Sequence, residues 1–247
     1  MTLLDYRETR VLATRYQSLS SAELPPLAQA DPKEQEQAFA ALVLRNPQVG
    51  AVLERLSTLD LPPWCLTAGA LFQTVWNIAA GRADLGYGIR DFDVFFHDPD
   101  DLSYEAEDQV IQRCLRGTEG LGVDLEPRNQ ARVHLWYEAK YGRAIPPYRS
   151  LVQSLASFAF TCCPVALSLD RSGVLTVIAV HGYADLYRGI LRPSPTSLAP
   201  ASVQRAKAAD YRAKWPHLIE ESTLAGGGQD PHRPRAAPQN LVKESPS

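Results

Sequence analysis

Two aspartates, Asp91 and Asp93, are the residues with the clearest chemical potential, and they lie two positions apart in an apolar run. In a β-strand such residues share one face, while Phe92 and Val94 point to the opposite face. Neighbouring carboxylates repel each other and resist burial unless a cation lies between them. Mg²⁺ and Mn²⁺ prefer oxygen ligands and leave coordination positions for water and phosphate. The pair therefore predicts a divalent-metal site that binds a phosphate-bearing ligand.

A third carboxylate is expected on the next strand-like segment, Val123–Glu126, which offers Glu126 and Asp124. Beside the aspartate pair, such a group would let a second metal bind and would ease deprotonation of an attacking hydroxyl. One ion would then activate the nucleophile, while the other would stabilise the leaving group.

The acidic spacing alone is not specific. With 28 acidic residues in 247, an acid-x-acid pattern arises by chance roughly three times. Asp98 and Asp100 form another such pair and are typical of a solvated loop. The pair at Asp91 and Asp93 differs because apolar strand residues surround it. A solvated or capped strand start remains the alternative to metal binding.

A glycine turn forms the second chemical element. Trp64–Thr67 is a short apolar strand pattern, and Gly69 and Ala70 follow it at the start of a predicted helix that continues to Ala80. A helix N-terminus presents free backbone N–H groups to an anion, so the turn is a candidate phosphate site. Glycine also serves purely steric needs in many such turns, which is the alternative interpretation.

Composition and charge exclude few function classes. The net charge is −3 and 45% of the residues are hydrophobic, which is typical of a globular protein. The four cysteines lack metal-ligand spacing and indicate buried thiols in a reducing compartment, so a cytoplasmic location is expected. No apolar run reaches membrane-spanning length. No basic stripe with interleaved aromatics is visible, so we predict neither a membrane partner nor long nucleic acid.

Helices interleaved with short strands predict a mixed α/β (α+β) core. Residues 1–60 are predicted to be a helical segment packed on the core, residues 61–221 the main domain and residues 222–247 a disordered tail. Further helices are expected at 32–45, 104–115, 129–141, 150–160 and 201–215, and another is expected to begin at Asn46-Pro47. A strand is expected at 92–96, and a hairpin is expected to join 163–169 with 174–180.

Several segments together resemble the DNA polymerase β type of nucleotidyltransferase, and within it a bacterial family of unassigned substrate. They are Ala68-Gly69-Ala70 with Thr74-Val75-Trp76, Ile89-Arg90-Asp91-Phe92-Asp93-Val94, Arg128-Asn129-Gln130-Ala131-Arg132-Val133-His134-Leu135-Trp136-Tyr137 and Ile145-Pro146-Pro147-Tyr148-Arg149-Ser150. The resemblance spans about residues 47 to 216. It implies a polymerase β-like core, in which a short mixed sheet is flanked by helices.

The resemblance also implies roles for particular residues. Asp91 and Asp93 match the family's metal-binding pair, and Glu126 matches its third carboxylate better than Asp124 does. Gly69 and Ala70 match the turn that approaches the triphosphate. Arg128 and Arg132 are four positions apart, so on a helix they would face one way, either towards a triphosphate or into solvent.

Three departures from the family pattern bear on catalysis. Ala70 lacks the hydroxyl that would touch a phosphate, and Phe72 replaces an expected polar or basic residue. Pro127 removes a backbone donor beside the third carboxylate and belongs at a sheet edge or strand end.

Three functions follow as hypotheses. The first is metal-dependent transfer of a nucleoside monophosphate from a nucleoside triphosphate to a hydroxyl of an unknown acceptor. The second is a catalytically degenerate member that binds a nucleotide or a protein. The third is a phosphohydrolase using the same aspartates, although the sequence lacks the clustered His and Asp ligands common in such enzymes.

Overall fold

The structure is a computed structural model that describes residues 1–18 and 22–221. The predicted tail at 222–247 lies outside the described residues. The α-helices are α1 Tyr6–Arg15, α2 Leu24–Leu27, α3 Pro32–Val43, α4 Pro47–Ser57, α5 Gly69–Ala79, α6 Tyr104–Gly117, α7 Val133–Tyr141, α8 Leu151–Leu155, α9 Ala184–Arg188 and α10 Ala201–Lys214. The strands are β1 Thr2–Asp5, β2 Trp64–Thr67, β3 Phe92–Phe96, β4 Leu125–Asn129, β5 Val165–Leu169, β6 Val174–Ala179, β7 Ile190–Leu191 and β8 Ile219–Glu220. Within this part of the chain, no helix is both long and apolar enough to span a membrane.

A mixed six-stranded sheet forms the centre, with the strand order β1-β6-β5-β2-β3-β4. β3 and β4 are parallel, and the other neighbouring pairs are antiparallel. The predicted hairpin is present as β5 and β6. Helices lie against this sheet, so the predicted mixed α/β (α+β) core is confirmed.

Strand alternation divides the core between the two faces of the sheet. On one face Phe92, Val94 and Phe96 of β3 join the main core, which α4, α5 and α6 cover. On the other face a smaller cluster contains Cys65 and Phe95, together with residues of α8. Asp93 is two positions before Phe95 in the same strand, so its side chain lies on this second face. The site carboxylates therefore project from the more thinly covered side of the sheet.

Local signals account for the helix starts. The Asn46 side chain accepts a hydrogen bond from the Gln48 N–H at 3.1 Å, and Pro47 occupies the first helical position of α4. The predicted apolar stripe of this helix, Val49, Val52, Leu53 and Leu56, is fully buried. The predicted start and inner face of α4 are thus confirmed.

Three elements differ from their predicted bounds by more than two residues. The helix expected at 129–141 begins at Val133, because Asn129 ends β4 and Gln130–Arg132 form a 3₁₀ helix. The strand expected at 123–126 is β4, Leu125–Asn129, and it includes Pro127. Because β4 lies at the edge of the sheet, the backbone N–H that Pro127 lacks would point away from β3, and no hydrogen bond between the strands is lost. The helix expected at 150–160 ends at Leu155. Beyond it the N–H of Thr161 bonds to the Arg192 carbonyl and the Ala159 carbonyl accepts from Ser194, so tertiary hydrogen bonds replace helical ones.

The N-terminal segment contributes a strand to the sheet. β1 pairs antiparallel with β6, and the Tyr6 hydroxyl at the start of α1 donates to Glu54 of α4 at 2.8 Å. A strand at Thr2–Asp5 was not expected from the sequence, because its apolar pattern is only two residues long. The boundary near residue 60 stays a prediction.

An aromatic cluster fixes α10 against α5. The Trp215 indole N–H donates to Asn77 Oδ1 at 2.7 Å, and the rings of Trp76 and Tyr211 lie 5.3 and 6.3 Å from the Trp215 ring. Gly88 allows this arrangement, since a Cβ there would lie 2.6 Å from the Trp215 ring, and its φ is +79°. The position of α10 relative to α5 is therefore set by buried contacts, which matters because α10 forms one wall of the cleft described next.

Candidate functional site

A cleft of about 480 Å³ lies on the second face of the sheet. Asp91 and Asp93 line one side, and the turn at Ala68 and Gly69 lies at one end. α10 forms the facing wall through residues at helical spacing: Val203, Lys207, Asp210, Tyr211 and Lys214. The cleft thus combines carboxylates, a helix N-terminus and cations in one concavity.

Asp93 occupies an environment that disfavours its charged form. Burial is the main reason why the pKa of Asp93 is raised from an ordinary 3.8 to about 7, and the charges of Asp91 and Glu126 contribute to the rise. Lys207 and Arg128 act in the opposite direction. The pKa is nonetheless raised, so the pair is short of positive charge. A divalent cation beside the two aspartates would supply that charge.

Glu126 lies beside Asp93 but does not line the cleft. The parallel register of β3 and β4 aligns the two residues, and both are half-buried. The Glu126 carboxylate lies 3.9 Å from the Arg128 guanidinium. In the part of the chain that the structure describes, no three His, Cys, Asp or Glu side chains are gathered closely enough to hold a metal ion.

The donor set fits magnesium bound mainly through its substrate. Mg²⁺ commonly takes one or two carboxylates and completes its shell with water and phosphate oxygens. Asp91 and Asp93 supply hard oxygen donors at the cleft surface, and a cation between them would offset the carboxylate repulsion that contributes to the raised pKa of Asp93. These two aspartates are therefore the residues that would hold the metal, with Glu126 next to them.

The two arginines lie apart from this centre. Arg132 forms an ion pair with Glu107, and its Nε donates to the Leu102 carbonyl at 2.9 Å. Arg128 is exposed, and its guanidinium donates to the Pro127 carbonyl at 2.9 Å. Of the seven predicted site residues, the structure places Asp91, Asp93 and Gly69 together on the cleft surface. Neither arginine lines it.

The turn before α5 has unusual backbone geometry. Ala68 has φ 57° and ψ −138°, a region that residues with a Cβ rarely occupy and that costs on the order of 1–3 kcal/mol. Alanine at this cap position offers no side-chain acceptor, so the first N–H groups of α5 remain available to an anion. Gly69 lines the cleft, whereas the Ala70 side chain is fully buried, so only its backbone could serve a ligand.

Comparison with known proteins agrees with this geometry. Residues 54–219 match a protein family described as nucleotidyltransferase. The chain belongs to that family. One solved NMR structure, described as a CCA-adding enzyme head domain, superposes with a TM-score of 0.59 and is 22% identical. The match covers 78% of this chain and 98% of the head domain, so the nucleotidyltransferase fold is shared. No curated protein matches the chain.

The nucleotidyltransferase cleft contains polar residues that the sequence did not single out. Lys207 and Lys214 project from α10, and Arg90 precedes the aspartate pair. The two lysines are seven positions apart in the helix predicted at 201–215, a spacing that places them on one face. This spacing was the sequence signal that could have identified the two lysines as a pair. It could not show that their face of α10 lines the same cleft as Asp93.

Gln73 is the other unforeseen residue in the nucleotidyltransferase cleft. It lies one turn into α5, and a Cβ at Gly69 would come within 2.8 Å of its Nε2. Its Oε1 is buried and accepts no hydrogen bond from the described residues. An unsatisfied buried amide oxygen costs stability unless a ligand or water donates to it. The Gln73 Oε1 is therefore a buried acceptor without a hydrogen-bond donor among the described residues, in the part of the cleft next to the α5 turn.

Proposed function

We propose that the protein transfers a nucleoside monophosphate from a nucleoside triphosphate to a hydroxyl of an acceptor. The observation that carries this proposal is the single cleft in which Asp91 and Asp93 face Lys207, beside the uncapped N-terminus of α5. Membership of the nucleotidyltransferase family supports the class of reaction. Mg²⁺ or Mn²⁺ held by Asp91 and Asp93 would supply charge neutralisation and polarise the phosphate.

Each group in the cleft has a task in this reaction. The N–H groups at Gly69 bind phosphate oxygens, and Lys207 and Lys214 offset the charge of the triphosphate. The acceptor oxygen forms a bond to the α-phosphorus as the bond to the pyrophosphate oxygen breaks. Glu126 is proposed to accept the acceptor's hydroxyl proton, directly or through water, because it lies beside Asp93 at the sheet edge.

A direct experiment is to incubate the protein with each α-³²P-labelled ribonucleoside triphosphate and fractionated cell extract. We expect label to appear on an acceptor only with Mg²⁺ or Mn²⁺, together with stoichiometric pyrophosphate. If the label is released only as free nucleoside monophosphate, the protein is a phosphohydrolase instead. Absence of any transfer from all four nucleotides across every fraction would contradict the proposal.

The second candidate is a protein that binds a nucleotide without chemistry. Two observations favour it: Ala70 offers no hydroxyl, and Glu126 is not gathered with the aspartates into a three-carboxylate group. This alternative expects saturable triphosphate binding and no pyrophosphate release with any acceptor. A single observed turnover would exclude it.

The surrounding assignments remain proposals. We propose that residues 61–221 are the nucleotidyltransferase domain and that residues 1–60 support it through contacts with the sheet, as β1 and α4 do. A cytoplasmic location fits the four cysteines, which are all free and buried. The acceptor's chemistry is open, and long nucleic acid is not expected as a partner.

Lys207 is expected to contribute to triphosphate affinity. Lys207→Ala should weaken magnesium-dependent binding of a triphosphate by about tenfold, since one charge-assisted contact to phosphate is worth roughly 1.5 kcal/mol. Arg205→Ala is the matched control, because that cation lies two positions away on the same helix and does not line the cleft. Calorimetric titration of both variants measures the difference. Equal triphosphate affinities for the two variants would show that Lys207 does not contribute to triphosphate binding.

A further inference from the structure

The cleft has chemically different ends. Near the C-terminus of α10 it is lined by Lys214, Gln73 and Gly69, which are polar or expose backbone. Near the N-terminus of α10 it is lined by Val203 and by apolar and aromatic residues: Leu198, Pro200, Phe158, Tyr137 and Tyr141. With a rise of 1.5 Å per residue, Val203 and Lys214 are about 16 Å apart along the helix. That span suits an elongated ligand with a charged end and an apolar end.

Position along the cleft fixes the direction of a bound nucleotide. The phosphate chain belongs at the polar end, where the α5 N-terminus and Lys214 lie. Asp91, Asp93 and Lys207 line the same cleft, and Lys207 lies between Val203 and Lys214 along α10. The reacting α-phosphorus must sit near Asp91 and Asp93. The sugar and base then extend towards the remaining, aromatic end.

The aromatic end contains an exposed ring that a second ring supports. The Tyr137 and Tyr141 ring centroids are 4.6 Å apart, and the Tyr137 hydroxyl donates to the Leu198 carbonyl at 3.0 Å. Tyr137 is buried, whereas Tyr141 is 43% exposed. Phe158, which also lines the cleft, is held by an edge contact with Phe95 at 5.9 Å. Tyr141 is thus backed by the Tyr137 ring, and the exposed Lys140 Nζ lies 5.4 Å from the Tyr141 ring centroid, so a planar partner would stack on Tyr141 beside this cation.

Resting on the proposed function, we propose that the base of the nucleoside triphosphate binds at this aromatic end by stacking on Tyr141. Base–aromatic stacking contributes substantial affinity and tolerates every base, because each has a π-face. The ring of Tyr141 and the side chain of Phe158 form the surfaces available to the base.

Two of the hydroxyl groups at this end are engaged within the protein. The Ser157 hydroxyl donates to the Ser154 carbonyl at 2.7 Å, and the Tyr137 hydroxyl bonds to Leu198. Among the described residues lining this end there is no carboxylate or amide side chain to read a base edge. The base is therefore held by its face rather than by its edge, and the four ribonucleoside triphosphates bind with similar affinity, within about tenfold of one another.

The experiment compares two ligands on three variants by calorimetry with Mg²⁺. ATP carries the base, whereas inorganic tripolyphosphate carries only the phosphate chain. Tyr141→Ala is expected to weaken ATP binding by about tenfold and to leave tripolyphosphate affinity unchanged within twofold. Tyr141→Phe should keep ATP affinity, because stacking needs the ring and not the hydroxyl.

Trp136→Ala is the matched control. Trp136 lies on α7 with Tyr141 and is 42% exposed, but it does not line the cleft. Its replacement should leave the affinity for both ligands unchanged. Unchanged ATP affinity in Tyr141→Ala, or an equal loss for both ligands, would overturn the stacking assignment while leaving the proposed function intact. A wild-type protein that binds neither ligand would overturn both.

Discussion

Replacing Asp91 and Asp93 together by asparagine is expected to lower nucleotidyl transfer by at least about 10³-fold, equivalent to roughly 4 kcal/mol of transition-state stabilisation. The two carboxylates are the hard oxygen donors on the cleft surface, and amides bind divalent metals far more weakly. The measurement is label transfer from an α-³²P-labelled triphosphate, with the acceptor fraction found for the wild type.

Asp124→Asn is the control for this experiment. Asp124 is an exposed carboxylate just before β4, so its loss changes the charge without touching the cleft. We expect that variant to retain transfer within about threefold. A double variant with wild-type transfer would show that the metal, if one is used, is bound by other residues. Circular dichroism of each variant separates loss of chemistry from loss of fold.

Asp93→Asn alone is expected to stabilise the metal-free protein at alkaline pH. The pKa of Asp93 is raised to about 7 in the folded state, so the unfolded chain ionises more readily. The favourable contribution of this carboxyl is fully present below its unfolded pKa and is lost as the pH rises towards 7. Asparagine is neutral at every pH and avoids that loss.

The expected gain depends on pH in a defined direction. In EDTA at pH 8 the variant should exceed the wild type by about 2 kcal/mol, or about 4–8 °C in Tm, and at pH 5 the gain should be smaller. The measurement is thermal unfolding at both pH values, with Asp124→Asn as the control expected to show no such trend. A variant less stable than the wild type at pH 8 would contradict the burial of a repelled carboxylate at this position.

Local sequence patterns were sufficient for most of the fold. The alternation Asp91-Phe92-Asp93-Val94 predicted both the strand and the shared face of the aspartates, because strand parity depends only on position. The start of α4 followed from Asn46 and Pro47 for a similar reason, since capping is a local interaction. Such features need no knowledge of distant parts of the chain.

Side-chain partners from distant segments escaped prediction. Arg132 was expected on a helix face and instead pairs with Glu107 of α6, which lies more than twenty residues earlier in the sequence. Lys207 lines the same cleft as Asp93, although more than a hundred residues of sequence separate them. Helical spacing indicates which residues share a face, but only tertiary packing decides what that face meets. Here the contact of α10 with α5 through Trp215 decides it.

The charge distribution along the sequence could have indicated the cationic side of the cleft, although the net charge of the whole chain does not show it. The net charge of −3 combines an acidic first half with a basic later segment, since residues 132–215 contain eleven Lys and Arg and only four Asp and Glu. Counting charge by segment would have indicated a cationic surface in the later part of the chain. Lys207 and Lys214, which line the cleft opposite the aspartates, belong to this segment.

The most direct test of the central claim is the metal dependence of triphosphate binding. Calorimetric titration with a non-reacting α,β-methylene analogue of ATP is performed with Mg²⁺ and with EDTA, on the wild type and on the Asp91→Asn/Asp93→Asn variant. We expect binding to the wild type only with Mg²⁺, and loss of that binding in the variant. Equal affinity with Mg²⁺ and with EDTA, or full magnesium-dependent affinity in the variant, would contradict the assignment of Asp91 and Asp93 as the metal-binding pair.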